Sequence, residues 1–335
     1  MTIYTKSLKT NKIYILGVVL LLAGMALSLF ASNQSVSSAQ LVHALLHPHA
    51  SGSAHLIFYS LRLPRALGAL LCGSALSTAG LLLQRTLHND LASPGILGIN
   101  AGAGLFALIA TLMWPGMIVF KGLMAFLGAI VAILLVLLLS HRISASKSSI
   151  ILLGVAVSSL MTALTNVIIT LIPESIVDKT VYSLGGFHIV VGEQVLFAAV
   201  TIIPVFLLCL YMSRGIELLS LGDETAYGLG LDPEKMRLIT LICAALLSGA
   251  AVSICGLLGF VGLIIPNAIR MMGFKDVKSQ LLLSGLYGSA CLVICDGLIR
   301  MIFYPYELPV GLLLSMFGAP FFIYLLYRRR RKGGG

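Results

Sequence analysis

The sequence predicts an all-α polytopic membrane protein with about ten transmembrane helices. Hydrophobic residues make up 59% of its 335 residues and charged residues only 10%, too few to cover the surface of a soluble domain. Apolar runs of roughly 20 residues, long enough to cross ~30 Å of hydrocarbon, recur along the whole length. Because backbone groups cannot bond to lipid, and the runs are too long for barrel strands, we expect each run to be a helix.

The apolar segments form one predicted membrane domain over residues 1–335, with a first half at about 13–172 and a second at about 194–327. The predicted spans are 13–30, 64–84, 97–114, 117–140, 149–172, 194–213, 237–257, 259–272, 280–299 and 309–327.

Two of these segments have sequence features that an ordinary transmembrane helix lacks. Residues 13–30 follow three lysines and resemble a signal peptide, but the run is long for one and further spans follow, so a retained first helix is favoured. Segment 259–272 is short and glycine-rich, and it contains Pro266. We expect a broken or re-entrant helix there, of the kind that lines a cavity.

The distribution of cations predicts the orientation. Ten spans place both termini on one side of the membrane. A cytoplasmic N-terminus leaves few of the 22 Lys and Arg outside, namely Arg62, Arg65, Lys121, Lys179 and Arg300. This asymmetry fits the positive-inside rule and predicts that both termini are cytoplasmic. The basic run 328–332 then indicates a contact with membrane lipid and not with nucleic acid.

An internal repeat indicates two related halves. The segment "ALLCGSALSTAGLLLQ" (69–84) aligns without gaps on "ALLSGAAVSICGLLGF" (245–260). By the predicted topology these two spans run in opposite directions, so the sequence predicts two inverted five-helix halves, which is typical of transport proteins. Chance similarity between two helices rich in Ala, Leu and Gly is the alternative.

Carboxylates are concentrated in the longest predicted cytoplasmic loop, residues 214–236. Five of the twelve lie there: Glu217, Asp223, Glu224, Asp232 and Glu234. Glycines divide the loop into two predicted short helices, and Asp232 followed by Pro233 predicts the N-terminus of the next span. The loop also has more leucine than a solvated connector needs, so an acidic, amphipathic surface for a cytoplasmic partner is favoured.

The partner's role follows from a missing motif. The sequence contains no GxxxxGK[ST], and only three carboxylates lie near membrane depth, Glu193, Asp296 and Glu307. Without a nucleotide site or a proton relay, either another subunit supplies the energy or transport is passive.

Cations and histidines mark the predicted outer side. Arg62, Arg65 and Arg300 either lie at the interface with their charges in water or dock an acidic partner, and Asp296 is expected to pair with Arg300 at i,i+4. The first outer loop carries four of the seven histidines, His43, His47, His49 and His55. Contact with haem or metal is one reading, but no carboxylate or thiol accompanies them, so a polar loop helix is preferred.

Catalytic and metal-binding patterns are weak. The six cysteines lie in apolar runs without CxxC, which favours buried thiols over disulfides or metal. Ser77, Ser158 and Ser159 have no nearby His or Asp in the sequence, so an enzyme has no predicted site.

Taken in order, several motifs resemble the FecCD-type permeases of ABC importers, which carry ferric siderophores, haem and cobalamin. The resemblance covers roughly 56–327. Its motifs are "RLPRALGALLCGSALSTAG", "LASPGILGINAGAG", "YSLGGF", "SLGDETAYGLGL", "GFVGLIIPNAIR" and "ELPVGLLLSMFGAPFFIYLL".

The resemblance implies a homodimeric permease with two cytoplasmic ATPases and an extracytoplasmic binding protein. This chain would bind no cofactor, and ATP and Mg²⁺ would belong to the ATPase. The implied ATPase-coupling residues are Leu221, Gly222, Asp223, Glu224, Ala226, Leu229 and Gly230. Arg62, Arg65 and Arg300 would dock the binding protein, and Asn89, Leu91, Ser146 and Lys147 would form the cytoplasmic gate.

Two departures from the family pattern concern the predicted gate. The usual "RNPLA" is here "HNDLA" (88–92), with Asp90 in place of proline, and the usual "PH" is Pro266–Asn267. A ferric siderophore is the first expectation for the cargo, followed by haem and then cobalamin. A passive channel or secondary carrier remains the alternative from another class.

Overall fold

The computed structural model describes residues 2–30, 37–47, 52–143, 147–188, 190–303, 306 and 308–332. Every regular element within these ranges is a helix. The all-α prediction is therefore confirmed for the described part of the chain.

Among the described residues, seven helices are long and apolar enough to cross a bilayer. They are α1 (Thr2–Phe30), α4 (Leu63–Thr86, with an apolar stretch that starts at Ser53), α6 (Ile118–Arg142), α7 (Lys147–Leu171), α9 (Gly192–Tyr211), α12 (Pro233–Cys255) and α14 (Val277–Ile302). Three more predicted spans are observed as helices with shorter apolar stretches: α5 (Ile99–Met113), α13 (Val261–Met271) and α15 (Val310–Lys332, apolar over Val310–Tyr324).

The remaining helices are short and lie between the long ones. They are α2 (Ser38–Leu46), α3 (Ser53–Leu56), α8 (Ser175–Leu184), α10 (Ser213–Leu219) and α11 (Asp223–Gly228). A π-helical turn over Ile57–Arg62 joins α3 to α4 without a break.

Helix α4 lies at the centre of the bundle, and its closest neighbour is α14. Gly73 faces Gly288 so closely that a Cβ on either glycine would overlap the other's backbone. The Ser77 hydroxyl donates to the Ser284 carbonyl oxygen at 2.6 Å, and the Ser289 hydroxyl donates to the Leu70 carbonyl oxygen at 2.8 Å. We call these residues the α4–α14 seam. Small residues permit this approach, and the hydroxyls bond across it.

Contacts along α4 also give the directions of its neighbours. Gly68 lies beside Ile254, and the Cys72 thiol donates to the Ala251 carbonyl oxygen, so α12 runs antiparallel to α4. The seam and the Arg65–Asp296 contact make α14 antiparallel to α4 as well. Helices α12 and α14 are therefore parallel, and the chain between them has to return along the bundle.

That return contains α13, the predicted broken segment. Helix α12 ends at Cys255, Gly256 has a φ of +65°, and α13 begins after Phe260, whose φ is +67°. A short helix is observed as predicted, but it runs without a break through Pro266, and a re-entrant path stays a prediction. The two repeat copies differ at this point, because Gly80 lies inside α4 whereas the aligned Gly256 ends α12. Gly80 instead allows α4 to pack against the backbone of Gly262.

Substitution at the seam tests this packing. We expect Gly73→Ala to lower stability by about 1–3 kcal/mol, because the new methyl group meets a backbone carbonyl that cannot rotate away. The measurement is the thermal unfolding midpoint of purified protein in detergent.

Gly104→Ala is the matched control, since Gly104 is also helical but its Cβ would have only an ordinary 3.8 Å contact with Leu257. It should be neutral or stabilising by up to about 1 kcal/mol. Equal midpoints for the two variants would contradict the close approach at the seam.

Candidate functional site

The coupling loop, residues 214–236, contains the two predicted helices, α10 and α11. Gly222 has a φ of +111° and separates them, and Gly230 at +84° turns the chain after α11. These conformations suit glycine because it has no Cβ. The Asp232 carboxylate accepts a hydrogen bond from the Lys235 backbone N–H at 3.2 Å, and Pro233 follows, so the predicted start of α12 is confirmed.

The coupling loop has an outward side with three large side chains in solvent. Leu221 and Leu229 are each 59% exposed and Tyr227 is 77% exposed, with Glu224 exposed beside them. Leu219 and Ala226 point inward and are fully buried. A short loop that exposes three large side chains of this kind has the character of a protein-binding surface. Ala226, an implied coupling residue, can support that surface but does not line it.

Asp223 is bound by two cations from other helices. The Lys147 ammonium at the start of α7 lies 3.0 Å from one carboxylate oxygen, and the Arg237 guanidinium on α12 lies 2.6 Å from the other. Partial desolvation would raise the pKa of Asp223, but the hydrogen bonds from Arg237 and Lys147 outweigh it and lower the pKa. The carboxylate is therefore ionised throughout the physiological range.

The first predicted gate segment, 88–92, is a folded turn after α4. The Asn89 side-chain oxygen accepts the Leu91 backbone N–H at 2.9 Å, which is an Asx turn. His88 has a φ of +52°, and its Nε2 lies 3.2 Å from the Ser220 carbonyl oxygen. This segment therefore contacts the coupling loop directly.

The two departures from the family pattern meet in one polar cluster. The Asp90 carboxylate lies 2.8 Å from Arg270, and the Asn267 amide donates to the Asp90 carbonyl oxygen at 3.1 Å. Arg270 also donates to the Asn267 side-chain oxygen at 2.8 Å and to Gln84 at 2.5 Å. Asp90 thus fastens the turn to α13.

Sequence reasoning did not identify Arg270 or Gln84 as members of this cluster. The sequence does show a cation, Arg270, near the end of the short helix. It does not show which carboxylate pairs with it, because Asp90 lies 180 positions earlier. Of the other implied gate residues, Lys147 begins α7, and Ser146 lies outside the described residues.

The three predicted docking arginines lie at the other end of α4 and are mostly buried. Arg62, Arg65 and Arg300 are only 5–8% exposed. Arg65 pairs with the fully buried Asp296 through its Nε and Nη2, at 2.9–3.0 Å. The expected i,i+4 pairing of Asp296 with Arg300 is therefore wrong. A buried carboxylate gains more from two donors on an adjacent helix than from a single i,i+4 contact.

Arg62 and Arg300 hold the end of α1. Arg62 donates to the Leu29 carbonyl oxygen at 2.8 Å, and Arg300 donates to the Ser28 carbonyl oxygen. The last carbonyls of a helix have no partner within it, so these guanidinium groups satisfy them. Docking of an acidic partner by these residues remains a prediction, and in the structure each has intramolecular partners.

The histidine loop contains the predicted helix, α2, which begins with a capping box formed by Ser37 and Gln40. The His43 and His47 rings are stacked with centroids 4.2 Å apart. His55 lies on α3, and His49 is outside the described residues. Within the described ranges no three potential metal ligands come together.

A mostly apolar cavity lies between α5, α6, α7 and α8. The polar residues in its lining are Asn100, Thr111, Lys121, Thr162, Thr165, Tyr182 and Ser183. The Lys121 ammonium lies 5.7 Å from the centroid of the Tyr182 ring, within the range of a cation–π contact. The cavity combines neutral hydrogen-bonding groups with a single positive charge.

Comparisons with known proteins identify a family and several relatives of this chain. The model of the FecCD transport family matches residues 20–328. The Fe(3+)-citrate import system permease protein YfmD of Bacillus subtilis is 33% identical, over 95% of each chain. The hemin transport system permease protein HmuU of Yersinia pestis is 33% identical, over 83% of this chain and 85% of its own.

A solved structure is similar as well. It is described as a metal-chelate type ABC transporter in an inward-facing conformation. It superposes with a TM-score of 0.84 and 27% identity, covering 95% of this chain and 99% of the other.

The buried Arg65–Asp296 pair yields a stability prediction. We expect Arg65→Leu to destabilise the protein by about 3–5 kcal/mol, because it leaves a buried carboxylate without its cation. The double variant Arg65→Leu/Asp296→Leu should recover much of this loss, since the carboxylate that lost its cation is then also removed. The unfolding midpoint in detergent is the measurement, and a double variant less stable than Arg65→Leu would contradict the pairing.

Proposed function

Because this chain belongs to the FecCD transport family, whose members are the non-catalytic permease subunits of ABC transporters, we propose that it is the permease of a binding-protein-dependent importer. In this proposal it moves an iron chelate across the cytoplasmic membrane by ATP-driven alternating access. The observation that carries the proposal is the coupling loop, which places Leu221, Tyr227 and Leu229 in solvent at one end of the bundle.

The proposed topology is a single permease domain with ten crossings, two inverted halves and both termini in the cytoplasm. The distribution of Lys and Arg supports it. The helix directions are compatible with it, since α4 runs opposite to both α12 and α14. In this topology the coupling loop and the turn at 88–92 face the cytoplasm, and Arg62, Arg65 and Arg300 lie at the outer side.

The proposed partners supply energy and specificity. Two ATPase subunits, which bind ATP and Mg²⁺, would dock on the coupling loops of a homodimer of this chain. A cargo-loaded binding protein would dock on the outer side. Nucleotide binding then biases a dimer with two arrangements, one open to each side.

An iron chelate is the proposed cargo, with a ferric siderophore or a similar ferric complex first. The ferric citrate permease supports this choice, whereas the hemin permease keeps haem as the second candidate. Cobalamin is third. The cavity that contains Lys121 supplies one positive charge, which suits an anionic chelate because an ammonium can bond to carboxylate oxygens.

ATPase activity of the complex in lipid tests the proposal directly. With the cognate binding protein present, we expect stimulation by one loaded cargo among ferric siderophores, ferric citrate, haem and cobalamin. Leu221→Asp with Leu229→Asp should abolish both stimulation and co-purification of the ATPase, because each new carboxylate would be buried without a cation where a leucine side chain had packed. Leu46→Asp, on the exposed face of α2, is the matched control and should leave both intact. A passive channel or secondary carrier would instead transport without any ATPase and tolerate the loop variant.

Lys121 provides a test of the cargo's charge. We expect Lys121→Gln to slow uptake of an anionic ferric chelate by roughly fivefold, corresponding to about 1 kcal/mol for a partly hydrated ion pair. A neutral ferric siderophore should be affected much less. Uptake is measured with radioactive iron in proteoliposomes, and equal effects on the two chelates would remove Lys121 from the cargo path.

A further inference from the structure

The Asp223 side chain is 45% exposed, and its carboxylate reaches from the coupling loop to two cations of other helices. Its carboxylate lies 3.0 Å from Lys147 and 2.6 Å from Arg237, whose side chains are only 24% and 15% exposed. It therefore joins three helices: α11, which carries it, the first residue of α7, and the second turn of α12.

The next residue, Glu224, is more exposed than Asp223. Glu224 is exposed, as are Tyr227 and Leu229 further along. Because successive positions on a helix diverge by about 100°, adjacent carboxylates can serve different partners. Glu224 belongs to the outward side, which is available to another protein, whereas the Asp223 carboxylate is bound within the chain by Lys147 and Arg237.

The contact with Lys147 indicates where a movement of the coupling loop would be passed. Lys147 begins α7 and is itself one of the predicted gate residues. The other predicted gate segment also contacts the coupling loop, through His88 and the Ser220 carbonyl oxygen. A displacement of the coupling loop would therefore act on both gate segments through polar contacts only three residues apart.

We propose that Asp223 is a transmission residue, which passes movement of the coupling loop to the start of α7 through Lys147 and does not itself bind the ATPase. This inference rests on the proposed function. It divides the implied coupling residues in two, with Leu221, Glu224 and Leu229 binding the ATPase and Asp223 connecting it to the gate. Arg237 holds the carboxylate from the α12 side, so that the loop moves as a unit.

The experiment uses the complete complex of permease, ATPase and binding protein in proteoliposomes. For Asp223→Asn and for Lys147→Gln we expect the ATPase to co-purify normally and basal ATP hydrolysis to persist, while cargo taken up per ATP falls about tenfold. Asp223→Glu should restore a large part of the cargo uptake per ATP, because it keeps the carboxylate. The double variant Asp223→Asn/Lys147→Gln should be no worse than either single variant, because both break the same contact.

Two neighbouring carboxylates serve as matched controls. Glu224→Gln should weaken ATPase binding. In the fraction of permease that keeps its ATPase, cargo uptake per ATP hydrolysed should not change. Asp232→Asn should leave both unchanged, because asparagine retains the helix cap and the Asp232–Lys235 pair lies in solvent at 3.1 Å.

A cargo-independent measurement separates this inference from the proposed function. A cysteine introduced by Ser148→Cys reports on the exposed first turn of α7. Its labelling rate should change on addition of ATP, and Asp223→Asn should remove that change. If the unmodified complex takes up no chelate but the labelling still responds through Asp223, the proposed cargo or function fails and the transmission role stands.

Several outcomes would overturn the inference. Loss of ATPase co-purification in Asp223→Asn would make Asp223 a docking residue. Unchanged uptake per ATP in that variant, or additive losses in the double variant, would show that the contact transmits nothing. An α7 label that does not respond to ATP in the unmodified complex would have the same meaning.

Discussion

The contact between the backbones of α4 and α14 is the constraint on which the rest of the bundle depends. Gly73 and Gly288 leave no room for a side chain, and Ser77 and Ser289 bond across the same line. In lipid, apolar surface gains little by moving from hydrocarbon to a neighbouring helix, so close packing and interhelical hydrogen bonds have to hold the helices together. A central helix rich in Gly, Ala and Ser meets this requirement, and α12, α13 and α14 pack around it.

Charged groups are correspondingly confined to the two ends of this central helix. At one end Arg65 neutralises Asp296, and at the other Arg270 neutralises Asp90. Both pairs connect segments that are distant in sequence, because an ionised group near membrane depth needs a partner from a neighbouring part of the bundle. The apolar middle of the bundle and its polar ends thus both follow from the low polarity of the surrounding hydrocarbon.

Hydropathy predicted the helices well because crossing a bilayer requires length and apolarity, which a single sequence displays. The start of α12 at Asp232–Pro233 and the short helix around Pro266 were also predictable, since each depends on local backbone chemistry. The seven long helices follow directly from this constraint, whereas the number of crossings depends on the three shorter ones.

Partners of the charged groups were not predictable, because they lie on other helices. Local spacing favoured Asp296 with Arg300, yet Arg65, more than two hundred positions earlier, binds that carboxylate. The coupling loop was found by its composition. The different surroundings of Asp223, which is bound by two cations, and of Glu224, which is exposed, required coordinates, because both residues are acidic and consecutive.

The Asp90 cluster makes the two halves of the chain depend on each other. Asp90 belongs to the first half, whereas Asn267 and Arg270 belong to the second, and the three side chains form one set of bonds. A hybrid that joins one half of this chain to the other half of a family member with proline and histidine at these positions would separate them. Arg270 would lose its carboxylate in one hybrid, and Asp90 would face an imidazole in the other. These positions are therefore exchangeable only as a set, and the natural unit for recombination in this permease is the pair of distant segments 88–92 and 266–270.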